Sequence, residues 1–383
     1  MGRVIFEQHG QLHLQVRDRI VNMILQKGLR GGDPLPTYRD LSRMLNVSLV
    51  TVQRAMKELS REGLVAGHPG RGTVVAREVS GEGRRLTQIG LVFFCSKQLL
   101  FGSAYLMDLF RGLMLAADAR GSDVRIVSIK SEGSLSPKQI AAGGVDGVIL
   151  CAVANDAYLR QFDAEGIPTV AVDTFNADVK LDYAVADNAA ALRQTVDHLV
   201  RLGHRRIGYI DGWSTDTVAG SGASRDPVID SSDAQERRGA FFAAMGSHGL
   251  LDGATLYPVH VRAPQETVSR AVDAWLDSNP RPTAVIGYDA GYAQPFAEAL
   301  EEFGLRMPED VSFAGAVAAG TALLDGRVIS TNKIDFVDLG RQAVALLELR
   351  HREGRSTPPR VYRGRPEFVA GHTVGPVMGE GMS

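Results

Sequence analysis

The chain has 383 residues, too many for one ordinary domain, and its 44% hydrophobic and 22% charged content excludes global disorder and allows sizeable cores. Its formal net charge of −2 conceals an asymmetry: residues 1–85 carry 14 Lys and Arg against 8 Asp and Glu, the remainder 28 against 36. A basic head on an acidic body fits one part that meets a polyanion and another with a different task, with uneven surface charge as the blander alternative.

No run of about 18 apolar residues is present, which argues against a membrane-spanning helix. The opening "MGRVIFEQHGQLHLQVRD" lacks the apolar stretch of a signal peptide. Both cysteines, Cys95 and Cys151, fall in apolar strand-like runs, as in a reduced, cytoplasmic protein. The nine histidines are scattered without zinc spacing, so no metal and no other cofactor is expected.

In chain order, Leu12, Val16, Ile20, Val21, Ile24 and Leu25 recur at helical spacing up to Gly28. "GGDPLP" is a turn, after which Thr37 is placed to cap "YRDLSRML", with Asp40 at capping-box distance. Asn46 and Val47 make a tight turn, and Ser48 caps a helix that runs to about Gly63. "LVAGHPGRGTVVA" then predicts two short strands around a glycine-rich tip. Helix, helix, turn, helix, hairpin is the organisation of a winged helix-turn-helix, assigned to residues 1–78, with a polar linker over 79–87.

From residue 88 the pattern becomes alternating strand and helix. "IGLVFFC", "VRIVSI", "DGVILCAV", "TVAVD", "RIGYIDG" and "AVIGYD" read as buried strands between amphipathic segments such as "AYLMDLFRGLMLAADARG" and "NAAALRQTVDHLVRLG". Continuous apolar strands alternating with helices predict parallel sheets covered on both faces, and the length exceeds one core. The expected fold is therefore a winged head followed by an α/β body of two parallel-sheet lobes over 88–375, with a frayed tail over 376–383. Residues 213–233 form a long Gly/Ser/Asp-rich stretch, open to two readings, a cleft-contacting lid or a disordered insertion.

The motifs "LPTYRDLS", "VS-x-x-TV", "AMKELSREGL" and "GRGT", in that order over about 65 residues, resemble the winged helix-turn-helix of the GntR family. The resemblance implies binding to double-stranded operator DNA, with Arg39 as a contact. Thr37 and Ser48 offer hydroxyls and helix-start N–H groups to phosphate. Arg71, with His68 and Gly72 beside it at the hairpin tip, is set to reach phosphate or the minor groove. For Arg39 the alternative is an ion pair with a neighbouring acid.

The reading helix departs from the expected pattern. Taking Val52 as the centre of its buried stripe, about 100° per residue puts Leu49 near 60°, Gln53 near 100° and Val50 near 160°. Leu49 either meets DNA or staples two helices together. Val50 points outward, which suits a thymine methyl, and Gln53 suits adenine where arginine would prefer guanine. Arg54 and Lys57 lie close to the outward direction, and Thr51 completes the exposed start of the helix.

From Ile89 to about Thr373, "LFRGLMLAADARG", "VDGVIL", "GIPTVAVD", "HLVRLGHRRIGYIDG", "ERRGAFFAAM" and "GLRMPEDVS" resemble the effector domain of LacI/GalR regulators, itself similar to periplasmic sugar-binding proteins. A GntR-like head on such a body is similar to arabinose-repressor-type regulators. The resemblance implies two lobes joined by three crossovers around a small ligand, with Asp173, Arg237 and Asp289 at ligand-holding positions. Phe94, Trp213, Tyr288 and Phe336 are candidates for an apolar wall, although residues of this kind are individually more often core than ligand contacts. Helix or turn capping is the alternative for the two aspartates, and a salt bridge for Arg237. "AVAAG" (Ala316 to Gly320), Ile334 and Ala370 stand where the family carries polar residues, which makes the expected pocket less polar than usual.

These features predict a cytoplasmic, homodimeric regulator that binds an inverted repeat and is released from it by a carbohydrate-like effector. A solute-binding protein of the same fold, or a regulator answering a non-sugar metabolite, is the runner-up. An enzyme is not expected, because no nucleophile elbow, P-loop, H-E-x-x-H or kinase signature occurs.

Overall fold

The computed structural model describes residues 12–26, 29, 31–61, 63–68, 72–76, 86–93, 97–129, 135–153, 155–212, 232–258, 264–318, 322–354 and 357–377. The head contains α1 (Leu12–Gln26), α2 (Tyr38–Leu45), α3 (Leu49–Arg61) and a hairpin of β1 (Val65–His68) with β2 (Gly72–Val75). Local chemistry sets its boundaries. Thr37 accepts the Asp40 N–H at 3.2 Å to start α2, and Asn46 ends it in the left-handed region at φ 52°. Ser48 accepts the Thr51 N–H at 3.1 Å to start α3. The apolar stripes then meet: Val16, Ile20 and Ile24 of α1 pack with Leu41 and with Val52, Ala55, Met56 and Leu59.

The body includes the last two residues of the expected 79–87 linker. Leu86 is buried in the body core, and Thr87 gives its N–H and hydroxyl to Asp146 at 2.8 and 2.5 Å. The first lobe takes β3 (Gln88–Phe93), α4 (Lys97–Gly102), α5 (Ala104–Asp118), β4 (Asp123–Ile129), α6 (Pro137–Ala142), β5 (Gly147–Cys151), α7 (Asp156–Glu165), β6 (Thr169–Val172) and β7 (Asp182–Ala186). The chain crosses to the second lobe for α8 (Asn188–Arg201), β8 (Ile207–Ile210), α9 (Ser232–Ser247), β9 (Ala254–Tyr257) and α10 (Pro264–Asp277). There it continues through β10 (Ala284–Gly287), α11 (Ala293–Glu301), β11 (Ser312–Ala318) and β12 (Ser330–Lys333). It returns for α12 (Phe336–Glu353) and β13 (Val361–Gly364), and crosses a third time into β14 (Glu367–Val369).

The first sheet runs β13-β7-β6-β5-β3-β4, parallel throughout, and the second β14-β12-β11-β10-β8-β9, parallel except for β14 on β12. The two-lobe, three-crossover expectation therefore matches the topology. In each sheet the order reverses once, between β3 and β5 and between β8 and β10, and the carboxyl ends of strands at such points are where α/β folds leave a crevice. Among the described residues no helix is long and apolar enough to cross a membrane.

Helices α5 and α12 cross with their backbones nearly touching. A Cβ added to Gly112 would lie 2.0 Å from the Val337 carbonyl oxygen, and one on Gly340 would lie 2.4 Å from that of Leu109. Glycine is required there by close approach, and Gly112→Ala is expected to cost about 1–3 kcal/mol by forcing the helices apart. A urea titration of the full chain measures it, with a wild-type midpoint as the contrary result.

The C-terminal stretch differs from expectation. The body is expected above to end at 375, where the Gly375 carbonyl accepts from His204 Nε2 at 2.9 Å and the Gly375 N–H donates to Ser312 at 3.0 Å, but the expected tail of 376–383 does not fray at once. The Val377 N–H then reaches the Leu202 carbonyl at 3.1 Å, so the chain is fastened through residue 377. Residues 378–383 lie outside the described residues.

Candidate functional site

Two places gather the residues singled out above. The first is the exposed face of α3. Val50 is 56% exposed and Leu49 39%, and both lie outside the buried cluster that joins α2 to α3. Leu49 therefore does not staple the helices, and the outward surface carries Leu49, Val50, Gln53, Arg54 and Lys57 together. Thr51 is half-buried, with its hydroxyl 2.7 Å from that of Ser48, so both hydroxyls serve the helix start. Thr37 similarly donates to Asp40 at 2.6 Å, which with the Arg43 charge holds the Asp40 carboxyl below its ordinary range. Asp40 pairs with Arg43 at 3.1 Å, and Arg39 stands exposed without an ion partner among the described residues. At the wing, His68 and Gly72 are exposed and Gly72 takes φ 75°. Arg71 lies outside the described residues.

The second place is the crevice between the lobes. Asp173 follows β6 with φ 58°, in the left-handed region that few side chains adopt, at the mouth of the first lobe. Arg237 sits on α9 in the second lobe and is buried. Its Nε donates to Asn188 Oδ1 at 2.9 Å, its Nη1 to the Tyr288 carbonyl at 3.0 Å, and its Nη2 faces Asp233 at 3.7 Å. The guanidinium carbon lies 4.3 Å from the centre of the Tyr288 ring, a stacked cation–π contact. The Tyr288 hydroxyl in turn donates to Asp233.

Electrostatics mark this cluster. Burial, then the like charge of Asp233, lift Asp173 to about 7, against the pull of Arg237 and a hydrogen bond with Tyr105. Burial likewise raises Asp289, with Arg237 opposing. For Arg237 burial acts against the charge, but Tyr288 and the carboxylates outweigh it and hold the guanidinium charged. Perturbed groups converging at strand ends are what a binding crevice in this fold requires.

The sequence-predicted residues divide accordingly. Asp173, Arg237, Tyr288 and Asp289 come together, and Asp289 also caps the turn after β10 by accepting the Gly291 N–H at 2.7 Å. Phe336 is buried at the start of α12, its ring 5.3 Å from that of Tyr105, which holds Asp173. Ile334 is buried in the same core. Phe94 and Trp213 lie outside the described residues, as do 213–231 of the long polar stretch.

Several participants were not foreseen. Asn188 opens α8 directly after the first crossover, and its Nδ2 donates to Glu236 at 2.8 Å. Glu236 pairs with Arg363 of β13 at 2.7 Å, a bond from the second lobe back to the first. Asp233 had one readable signal, its i,i+4 spacing to Arg237 on a helix. Tyr105 and Arg363 had none, because only the tertiary fold brings them near Asp173 and Glu236.

Comparison with known proteins bears on both places. Residues 12–75 match the gntR family of bacterial regulatory proteins, and residues 196–374 match a periplasmic binding protein-like domain. An arabinose metabolism transcriptional repressor of Geobacillus stearothermophilus is 23% identical over 349 residues, spanning 88% of this chain and 90% of that protein. Among solved structures, a lac repressor dimer bound to operator and an anti-inducer aligns with TM-score 0.60 and 19% identity, over 77% of this chain and 96% of that one. A LacI family regulator from Enterococcus faecium with bound ribose aligns with TM-score 0.57 and 18% identity, over 76% of this chain and 100% of that one. These structural likenesses establish the fold of the body.

Proposed function

We propose that this chain, which joins a gntR-family DNA-binding domain to a periplasmic binding protein-like domain, is a cytoplasmic, ligand-controlled transcription repressor. It acts as a homodimer on an inverted-repeat operator and is released by a small carbohydrate-like effector held between the lobes. The observation that carries this reading is the pairing, in one chain, of an exposed reading helix with a buried polar cluster drawn from both lobes. The names of its relatives support the same assignment: one is an arabinose metabolism repressor. The protein is not an enzyme in this reading; the cleft carboxylates hold ligand and carry out no turnover.

On the DNA, Arg39, Arg54, Lys57 and Arg71 supply the phosphate and groove contacts that set affinity, while Val50 and Gln53 select bases. Residues 1–78 read DNA, and the segment from 79 links them to the effector-binding and dimerising body, which is engaged by Leu86 and Thr87 and extends through Val377 rather than spanning 88–375. Selection from randomised duplexes tests this directly. The expected product is an inverted repeat with an A·T pair opposite Gln53, and Gln53→Arg is expected to switch that position to G·C by about 1–3 kcal/mol, roughly 5- to 150-fold. Recovery of unrelated sequences, or of guanine with the wild-type protein, contradicts the assignment.

A further inference from the structure

The charges of the cleft are unevenly committed. Arg237 has its three guanidinium nitrogens turned to Asn188, the Tyr288 carbonyl and Asp233. Arg238 is paired with Asp211, and Arg363 with Glu236. The carboxylates Asp173, Asp233 and Asp289 have the charge of Arg237 in common, and beside it Asp173 has the Tyr105 hydroxyl and Asp233 the Tyr288 hydroxyl. Asp173 belongs to the first lobe and Asp233 to the second, and the residues beside them fasten the two together. Thr174 Oγ1 lies 3.1 Å from Ser232 Oγ, and the Phe175 N–H donates to that same oxygen at 3.1 Å. These contacts bring two like charges from opposite lobes into each other's field, and their repulsion, after burial, contributes to the raised Asp173.

A second observation points the same way. The Tyr209 hydroxyl on β8 is wholly buried and has no hydrogen-bond partner among the described residues, although it lies in the field of Arg237, Asp211 and Asp233. A buried hydroxyl is costly to leave unmet, and this one borders the same cluster. A ligand polar group delivered there would satisfy it.

We propose that the effector is an amino sugar, a polyhydroxylated ring bearing a protonated amine, whose ammonium sits between the carboxylates of Asp173 and Asp233. This deepens, and rests on, the reading of the cleft as an effector site. An ammonium donates up to three hydrogen bonds and turns the cross-lobe repulsion into attraction, so it binds the closed arrangement better than the open one. A sugar acid or sugar phosphate would add negative charge beside carboxylates whose neighbouring guanidiniums are already engaged. Cation binding also favours the ionised form of Asp173, whose facing groups are Asp233 and Arg237 on α9 and Tyr105 on α5.

Calorimetric titration of the full chain at pH 7 tests this with matched sets in gluco, galacto and manno configuration: the 2-amino sugar, its parent hexose and its uronate. The expected result is that at least one amine binds tenfold or more tighter than its own parent, with no uronate binding better. In Asp173→Asn, and separately in Asp233→Asn, that advantage should fall below threefold, a ratio that loss of folding alone does not change. A parent hexose or uronate matching or exceeding every amine overturns the proposal, as does the absence of binding by all three amines. Repeating the titrations with the selected operator separates the two levels. If a neutral or acidic sugar releases DNA, the regulator reading stands and the amine assignment falls; if no ligand in the panel does, both fall.

Discussion

Arg237→Ala is expected to leave the protein on its operator and unresponsive to effector. The residue is the hub of the cleft, touching Asn188 beside the first crossover, the Tyr288 backbone and Asp233. Truncating one partner of a buried, hydrogen-bonded charge pair costs about 2–5 kcal/mol, much of it from leaving the other partner unmet. Effector affinity should therefore fall roughly 30-fold to several thousand-fold. Arg237→Lys should also be impaired, because a point charge cannot replace a planar fork that bonds two acceptors and stacks on a ring. Calorimetry gives the affinity, and anisotropy of a labelled operator gives the DNA side. An Arg237→Ala protein that answers effector at the wild-type concentration contradicts the role.

The second large effect concerns stability. Asp182, wholly buried at the start of β7, accepts from Arg350 Nε at 2.9 Å and Nη2 at 2.5 Å, and from the Arg360 N–H at 2.7 Å. Arg350 closes the end of α12 by also donating to the carbonyls of Gly354, Thr357 and Pro358. The pair thus fixes the turn that delivers β13 to the edge of the first sheet and Arg363 to Glu236. Asp182→Ala strands a buried guanidinium, for which about 3–5 kcal/mol is expected, or roughly 10 °C in melting temperature. Asp182→Leu combined with Arg350→Met should recover only part of that loss, since it removes the unpaired charge but leaves the Arg360 N–H and three carbonyls without their partners. Thermal denaturation of the three proteins decides it. A single variant that melts like the wild type contradicts the assigned role.

The head was the most legible part of the chain. Its caps, Thr37 and Ser48, and its stripe of Val52, Ala55, Met56 and Leu59 are local features, and local features survive folding unchanged. The body's alternation revealed parallel sheets, but not that "DYAVA" forms β7 or that "KQLLFG" forms α4, because short segments carry too little periodicity to be separated from their surroundings. In the cleft, Asp173, Arg237 and Asp289 were picked out by the family resemblance, and the fold brings them together. Asn188, Tyr105 and the Glu236–Arg363 bridge were not, since each owes its position to a crossover between lobes. The fastening of Gly375 and Val377 was invisible for a related reason: backbone groups accept and donate there, and backbone groups have no sequence signature.

Coupling between the cleft and the reading helix through one chain is what makes the proposed protein a regulator. Its most direct test is the affinity of the full-length protein for its selected operator, measured by anisotropy with and without a saturating effector identified by calorimetry. A weakening of tenfold or more in the wild type, absent in Arg237→Ala, is the predicted result. An effector that binds the cleft tightly while operator affinity stays the same would contradict it.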